Sequence, residues 1–578
     1  MRYSDFSGED KSSASLKKIR LMRRLLFPSV LFVIIVILTR LPEFTTGPQN
    51  SGKYHYVKSD LPRPEQQSFD VRYYHLKMDF QFSPDSTGGV IRAETDIDLT
   101  GKVHKLREIL LDFNSSMQVD SVAGMAFRFK REGPNLRIFL RRQLKKNESG
   151  RVKIFYSGWP QPYHPWIAGL GITWRPEGET KVPWISTMNP PFGASTWFPC
   201  KDDPSDKADS VRFSITVPQN LTVVCNGLLL RDSLMANRRR QFVYVEKYPI
   251  ATYLVAVNIG KFIRYEFPHH GIRRQFPLQF FIFPEDTQFV GKIRQEVGSM
   301  LDFYEQAFGP YPFDREKYGM VKANPNGGME NQTITAIHQF NPARQRLFAH
   351  ELAHQWAGDE VTNATFHFSY LNEGLATYMT ALYIEHSQGK KKFKEYLESL
   401  RPEKAGAVEV QKILVPDSVY DTQRVYYKGA WFFHMLRNMM GDSAFFASLR
   451  QYFSRNEYSI VSSDSLLKTF QRNSSESLNA FFNSWLKNAA LPKIKSMLMP
   501  AEPGKPPYQY RLVLSQEQTG APYYYFLPLR FAFRNPARQD SLLRVRFFAK
   551  SQTFNFTFPS QIDTFQVDPG NDWLLGRQ

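Results

Sequence analysis

Cysteine is almost absent: Cys200 and Cys225 are the only two in 578 residues. That is too few for a disulfide scaffold, and they lack the C-x-x-C spacing of redox or structural zinc sites. Two buried thiols are the plain expectation, with a single bridge available only if the body is exported. Internal repeats and long low-complexity tracts are missing as well, which removes repeat architectures. No nucleic-acid motif occurs, although the formal charge is +19. The only tight basic triplet in the body, Arg238-Arg239-Arg240, reads as a solvated loop, so no nucleic-acid partner is expected. Long apolar runs are lacking too, with one exception near the N-terminus.

What is abundant is core material. Hydrophobic residues make up 42% and aromatic residues 15%, including 48 Phe and 28 Tyr, which excludes wholesale disorder. A chain of 578 residues exceeds the size at which one core keeps growing, so two to four domains are expected and a single small binding module is excluded.

The exceptional run is Leu25 to Thr39, uncharged and flanked by Arg24 and Arg40. It is short for a spanning helix, but Arg40 can snorkel and Leu41-Pro42 extend it. Residues 25–42 are therefore read as a signal anchor, with the basic tail 1–24 held in the cytoplasm and the body outside. A cleaved signal peptide has the same order of charge and apolarity; no small-x-small site follows Leu38, which favours the uncleaved anchor. A buried core helix is a third and weaker reading.

Residues 43–67, rich in Gly, Pro, Ser and charge, read as a linker. From 68 to 268 apolar residues alternate with polar ones, as in Val211-Arg212-Phe213-Ser214-Ile215-Thr216-Val217. This predicts an N-terminal antiparallel β-sandwich domain. From 269 to 490 the period becomes helical, with stretches near 287–307, 343–357, 370–386 and 425–439. In the last helix Leu478, Phe481, Phe482, Trp485 and Leu486 share one face. Residues 491–578 return to alternation and predict a small C-terminal β domain. The fold class is thus multidomain α+β.

The chemistry is carried by His350-Glu351-Leu352-Ala353-His354. On a helix the two histidines lie one turn apart on one face, so two imidazoles can converge on one ion, with Glu351 beside them. A hydrolytic zinc site takes three protein ligands and leaves one position for water. Glu373, in Leu371-Asn372-Glu373-Gly374, is the candidate third ligand. Zinc, one ion per chain, is the expected cofactor, and Glu351 the expected general base.

This HExxH, followed after eighteen residues by NEG, resembles the gluzincin aminopeptidases, the family of aminopeptidase N and leukotriene hydrolase. Gly327-Gly328-Met329-Glu330-Asn331 looks like the family's exopeptidase motif, Tyr426-Tyr427-Lys428-Gly429 like its Y-x-K-G segment, and Trp197 to Pro204 like a stretch of its N-terminal β domain. The resemblance covers residues 68–490 and implies a thermolysin-like catalytic domain. It implies that Glu330 binds the free α-amine of a peptide, that Gly327, Gly328 and Met329 pair with its backbone along an exposed strand, and that Tyr426 hydrogen-bonds the oxyanion. Tyr427 competes for that last role, and only the spacing to Lys428 and Gly429 prefers Tyr426.

Two departures stand out. Where many relatives carry a Gln that helps hold the amine, twelve residues before Cys200, this chain has Met188 followed by Asn189. Asn189 is the candidate substitute. Large relatives also carry a long helical C-terminal domain over the site, whereas the last segment here reads as β, so a more open site is expected. An aminopeptidase acting on peptides with a free N-terminus is the leading reading. A zinc endopeptidase with the same core is the second, and an inactive membrane-tethered binding protein the third.

Overall fold

The computed structural model describes residues 63–576, apart from 84–87, 162–168, 178–179, 325, 411–418 and 502–505. The expected tail (1–24) and anchor (25–42) lie outside the described residues. Among the described residues no helix is long and apolar enough to cross a membrane. The end of the expected linker does fall inside, and it is folded: Pro64–Gln67 forms a helical turn. Arg63 hydrogen-bonds Asn135 and Asp112, and Gln66 Nε2 donates to Asp112 Oδ2 at 2.8 Å. The folded body therefore starts before residue 68. Polar hydrogen bonds rather than apolar burial secure this turn, which is why its composition resembled a linker.

Strong alternation yields long strands. In Ser210–Pro218 every second residue, Val211 through Val217, is wholly buried. The largest sheet has seven strands, in the order Leu228–Met235, Arg239–Glu246, Ser210–Pro218, Phe69–Phe82, Gly89–Gly101, Ser149–Gly158 and Met117–Gly124. Its pairings are antiparallel except one: Tyr73–Asp79 runs parallel to Ser210–Thr216. The long excursion between them supplies the crossover that parallel pairing requires. A three-stranded sheet (Leu106–Asp112, Asn135–Leu144, Ala126–Glu132) and a four-stranded one (Thr222–Cys225, Val257–Gly260, Thr180–Met188, Gly169–Glu177) complete this β-rich part. The arginine triplet is a loop only in part: Arg238 lies in an exposed turn, whereas Arg239 and Arg240 open a strand and pair with Asp79 and Asp232. Cys200 and Cys225 are both fully buried.

A five-stranded sheet follows, in the order Ile263–His270, Gln275–Ile282, Tyr318–Lys322, Ile334–Ile337 and Gly328–Met329. The hairpin Ile263–His270/Gln275–Ile282 belongs to this sheet, so a domain boundary at 268 cuts through it. Alternation identifies a strand but does not say which sheet it joins. The short strand Gly328–Met329 is at the edge. Helices Val290–Phe308, Gln345–Ala353, Glu373–Gln388, Lys390–Ser399, Gly429–Met440, Asp442–Arg455, Ser463–Gln471 and Asn479–Lys487 form the helical part among the described residues to 490.

The C-terminal part is two three-stranded antiparallel sheets, centred on Tyr508–Gln516 and Tyr525–Phe533. They face each other through aromatic rings, Phe531 lying 5.1 Å from Phe556 and 4.9 Å from Phe558. Trp485 ties the last helix to this sandwich. Its ring lies 4.3 Å from that of Tyr523, and its Nε1 donates to Tyr524 O at 2.8 Å. Trp485→Ala is expected to cost about 3–5 kcal/mol, read as an earlier midpoint in urea unfolding; an unchanged midpoint would show that the joint does not depend on this side chain.

Candidate metal centre

The helix Gln345–Ala353 is entered through a short turn, Pro342–Arg344, in which the Asn341 side chain accepts from Ala343 N at 2.9 Å. Phe348, Ala349, Leu352 and Ala353 face the core. His350, and His354 at the helix C-cap, stand one above the other on a second face. Their Nε2 atoms are 3.1 Å apart. Glu373, first residue of its own helix, brings Oε2 to 3.3 Å from His350 Nε2 and 3.2 Å from His354 Nε2.

These three separations test whether zinc fits. Donors about 2.0–2.1 Å from a tetrahedral zinc ion stand about 3.3 Å apart, which the triangle matches. His354 Nδ1 lies 2.9 Å from Ala357 O; a proton there leaves Nε2 as the free donor atom. Glu330, Glu351 and His354 form a second group, with donor atoms within 4.8 Å of one another.

The electrostatics call for a cation. Glu330, Glu351 and Glu373 are all buried. Burial pushes the Glu351 carboxyl well above its usual range, with the charges of Glu330 and Glu373 adding to it and His354 opposing. Burial likewise pushes Glu330 up to about 7, with Glu373 adding and His354 opposing. Glu373 alone goes down, to about 2, because His354 and His350 overcome its burial. Buried carboxylates are ordinarily paired or coordinated to metal, and a dication here would offset their mutual repulsion.

Backbone approach sets the positions. Gly328, on the edge strand, passes so close to Glu351 that a Cβ there would lie 2.4 Å from Glu351 Oε1. Gly374, beside Glu373, lies against Gly429: a Cβ on Gly374 would meet Gly429 Cα and Val425 O, each at 2.9 Å. The glycines of the NEG and Y-x-K-G segments thus let two backbones touch.

Between them lies Thr422–Lys428, a π-helical turn, a form often found at functional sites. It turns Tyr426 toward the metal donors, its ring stacked on His350 at 5.9 Å and 25°. Burial raises the Tyr426 hydroxyl well above its usual range, and Glu373, Glu330 and Glu351 add to this. Tyr427 lies instead near Tyr396. Lys428 is buried and donates to Gly406 O at 3.0 Å, Asn488 O at 2.7 Å and the Tyr523 hydroxyl at 3.1 Å.

The structure thus brings together His350, Glu351, His354, Glu373, Glu330 and Tyr426 beside the edge strand Gly328–Met329 and the Gly327 that precedes it. Asn189 is a correction. It is wholly buried, its Nδ2 donating to Val255 O at 2.7 Å and its Oδ1 accepting from Trp197 Nε1 at 3.0 Å. Both ends of the amide are engaged within the β-rich part, and its burial keeps it from being presented to a substrate amine. Met188 packs partly buried against the core.

Four residues near the site escaped the sequence reading. Gln355 directly follows His354 and donates to Asp359 Oδ2 at 2.7 Å. Tyr253 donates to Gly358 O and accepts from Asn372 Nδ2, each at 3.2 Å. Lys207 donates to Asp359 O and Glu360 O, each at 2.7 Å. Tyr420, whose hydroxyl is raised by burial and by the charges of Glu330 and Glu373, packs edge-on to Phe366. Only Gln355 adjoins a motif; nothing local in the sequence marks the other three.

Comparison with known proteins places the chain in a family. Residues 65–254 match the peptidase M1 N-terminal domain and residues 294–485 the peptidase family M1 domain. Aminopeptidase M1 of Arabidopsis thaliana is 29% identical over 353 residues, 56% of this chain and 39% of its own length. Leucine aminopeptidase 2 of Aspergillus fumigatus is 27% identical over 400 residues, 63% of this chain and 61% of its own. The chain spans about two fifths of the length of the first such relatives, 39%, 44% and 38%. Among solved structures, an M1 zinc metallopeptidase of Deinococcus radiodurans bound to a Tyr-Ser-Ala substrate superposes with TM-score 0.64 at 23% identity, covering 74% of this chain and 96% of that one. Aminopeptidase A of Legionella pneumophila gives TM-score 0.75 at 17% identity, over 91% of this chain and 60% of that one. With both of the family's domain types matched in order and its fold reproduced, the chain belongs to peptidase family M1.

Proposed function

We propose that the chain is a zinc-dependent aminopeptidase that removes N-terminal residues from peptides. The observation that carries this reading is the buried carboxylate of Glu330, set beside Glu351 and His354 and next to an open strand edge. His350, His354 and Glu373 would hold the ion. Zinc, when bound, lowers the pKa of its water toward about 7 and polarises the scissile carbonyl. Glu351 accepts the proton of the attacking water and passes it to the leaving amine. The Tyr426 hydroxyl donates to the oxyanion of the tetrahedral intermediate. Gly327 to Met329 pair with the peptide backbone along the sheet edge, and Glu330 accepts from the terminal ammonium.

A zinc endopeptidase is the second reading, and the occupied amide of Asn189 favours it, since the amine loses one expected acceptor. The two differ in their need for a free amine. Aminoacyl chromogenic substrates are expected to be cleaved, their N-acetylated forms refused, and a chelator to abolish turnover. Glu351→Gln should lose about two to four orders of magnitude in kcat at unchanged zinc content. Efficient cleavage of the acetylated forms would replace the aminopeptidase with the endopeptidase. Loss of zinc from Glu351→Gln would make that residue a ligand instead of the base.

Gly328→Ala tests the strand edge. The clashing atom is the far end of a flexible side chain, so the fold can accommodate the methyl but the base must move. A fall in kcat on the order of 100-fold with little change in Tm is expected; unaltered kcat would show that Glu351 does not need this clearance.

Residues 25–42 are proposed as a membrane anchor that leaves residues 43–578 on the outer face. The uncharged run Leu25 to Thr39 and the basic residues before it support this. Protease added outside intact cells should digest the body and leave an N-terminal fragment in the membrane; full protection of the body would reverse the orientation.

A further inference from the structure

Thr333 has a positive φ of 63°, a region that glycine enters freely and a β-branched residue rarely does. It is the third residue of a turn closed by Ile334 N donating to Asn331 O at 3.0 Å. Positive φ at the third residue and not the second is the type II pattern, in which glycine is the ordinary occupant. Such strain persists only where the surroundings over-determine it, and it gathers at functional sites. This turn begins at the residue after Glu330.

The contacts of Thr333 show what a side chain adds there. Its hydroxyl accepts from Gly227 N at 2.8 Å and donates to Glu246 Oε2 at 3.1 Å; both partners belong to the N-terminal β-rich part. Its amide donates to Gln355 Oε1 at 2.9 Å, on the residue following His354. Gly319 N donates to its carbonyl at 3.0 Å. The other end of the Gln355 amide reaches Glu330 O at 3.4 Å and Asp359 Oδ2 at 2.7 Å. One wholly buried residue therefore joins the β-rich part, the five-stranded sheet and the metal-binding segment, three positions downstream of Glu330. Glycine would relieve the strain and keep the amide and carbonyl bonds, but it would lose both bonds to the β-rich part.

We propose that Thr333 is a positioning residue: its hydroxyl clamps the Asn331–Ile334 turn to the β-rich part and thereby fixes the Glu330 carboxylate where the substrate amine docks. This rests on the reading of Glu330 as the amine acceptor. The clamp acts on binding and on the choice between free and blocked N-termini, not on the attacking water, so its signature is a split between KM and kcat.

The test uses full-length Thr333→Gly, Thr333→Ser and Glu330→Gln, each assayed on an aminoacyl chromogenic substrate and its N-acetylated form, with zinc content and Tm measured alongside. Thr333→Gly is expected to raise KM for the free-amine substrate about tenfold and to narrow the preference over the acetylated form by a similar factor. Its kcat and zinc content should stay near those of the parent. Thr333→Ser, which keeps the hydroxyl, should restore KM and preference. If Glu330→Gln changes both while Thr333→Gly changes neither, the clamp is wrong and the Glu330 reading stands. If Glu330→Gln itself changes neither, the reading beneath it falls. A Thr333→Ser variant that restores Tm but not preference would reduce Thr333 to a purely structural role and overturn the proposal.

Discussion

Burying three carboxylates within reach of one another costs more than any single packing contact returns, and the structure around Glu330, Glu351 and Glu373 is organised by that cost. The two imidazoles and the ion they can hold with Glu373 supply the compensating charge. Their geometry must already be right before the ion arrives, because a loose donor set would spend binding energy on ordering side chains. The matching separations of 3.1, 3.2 and 3.3 Å show such a preformed set. Glu373 gains further from its place at a helix N-terminus, where the backbone dipole favours negative charge.

The β-rich part contributes to this organisation although it supplies no metal donor. Lys207 caps two carbonyls just beyond the metal helix, and Tyr253 bridges Gly358 to the Asn372 side chain. These bonds hold the segment after His354 and the start of the Glu373 helix from the same side. The donors come from two helices, so a support touching both keeps their spacing fixed. Asn189 fits this picture: its amide secures Val255 and Trp197, and its proximity to the motif stretch in sequence reflects shared packing.

Much of this could be read from the chain because the chemistry is local. Positions 350, 351 and 354 acquire their geometry from one helical turn, and Glu330 directly follows the edge strand Gly328–Met329. Strand and helix periods located the β-rich, helical and C-terminal parts for the same reason. What was missed depends on distance along the chain. The parallel pairing of Tyr73–Asp79 with Ser210–Thr216 and the sheet that claims Ile263–His270 are tertiary choices that a two-residue period does not record. Tyr426 and Tyr427 could be ranked only by motif spacing, since the π turn shifts the ordinary helical register. Pro64–Gln67 looked like linker because its anchoring is polar.

The C-terminal sandwich, though far from the metal donors, is linked to the segment that carries Tyr426. Lys428 is buried among three neutral acceptors from three separate segments, Gly406, Asn488 and Tyr523. Burial pushes its amine down to about 7, so only full satisfaction by those acceptors keeps a cation there tolerable. Tyr523 is the acceptor furthest along the chain, and its ring lies tilted against that of Trp485. Lys428 in turn ends the π turn that presents Tyr426 to His350. A displacement of the sandwich would therefore reach the candidate oxyanion donor in two steps, through Tyr523 and then Lys428. The sandwich thus packs behind this turn through two kinds of contact, the directional bonds of Lys428 and the buried aromatic contacts of Phe481 and Trp485 with Trp573, Tyr523 and Tyr525.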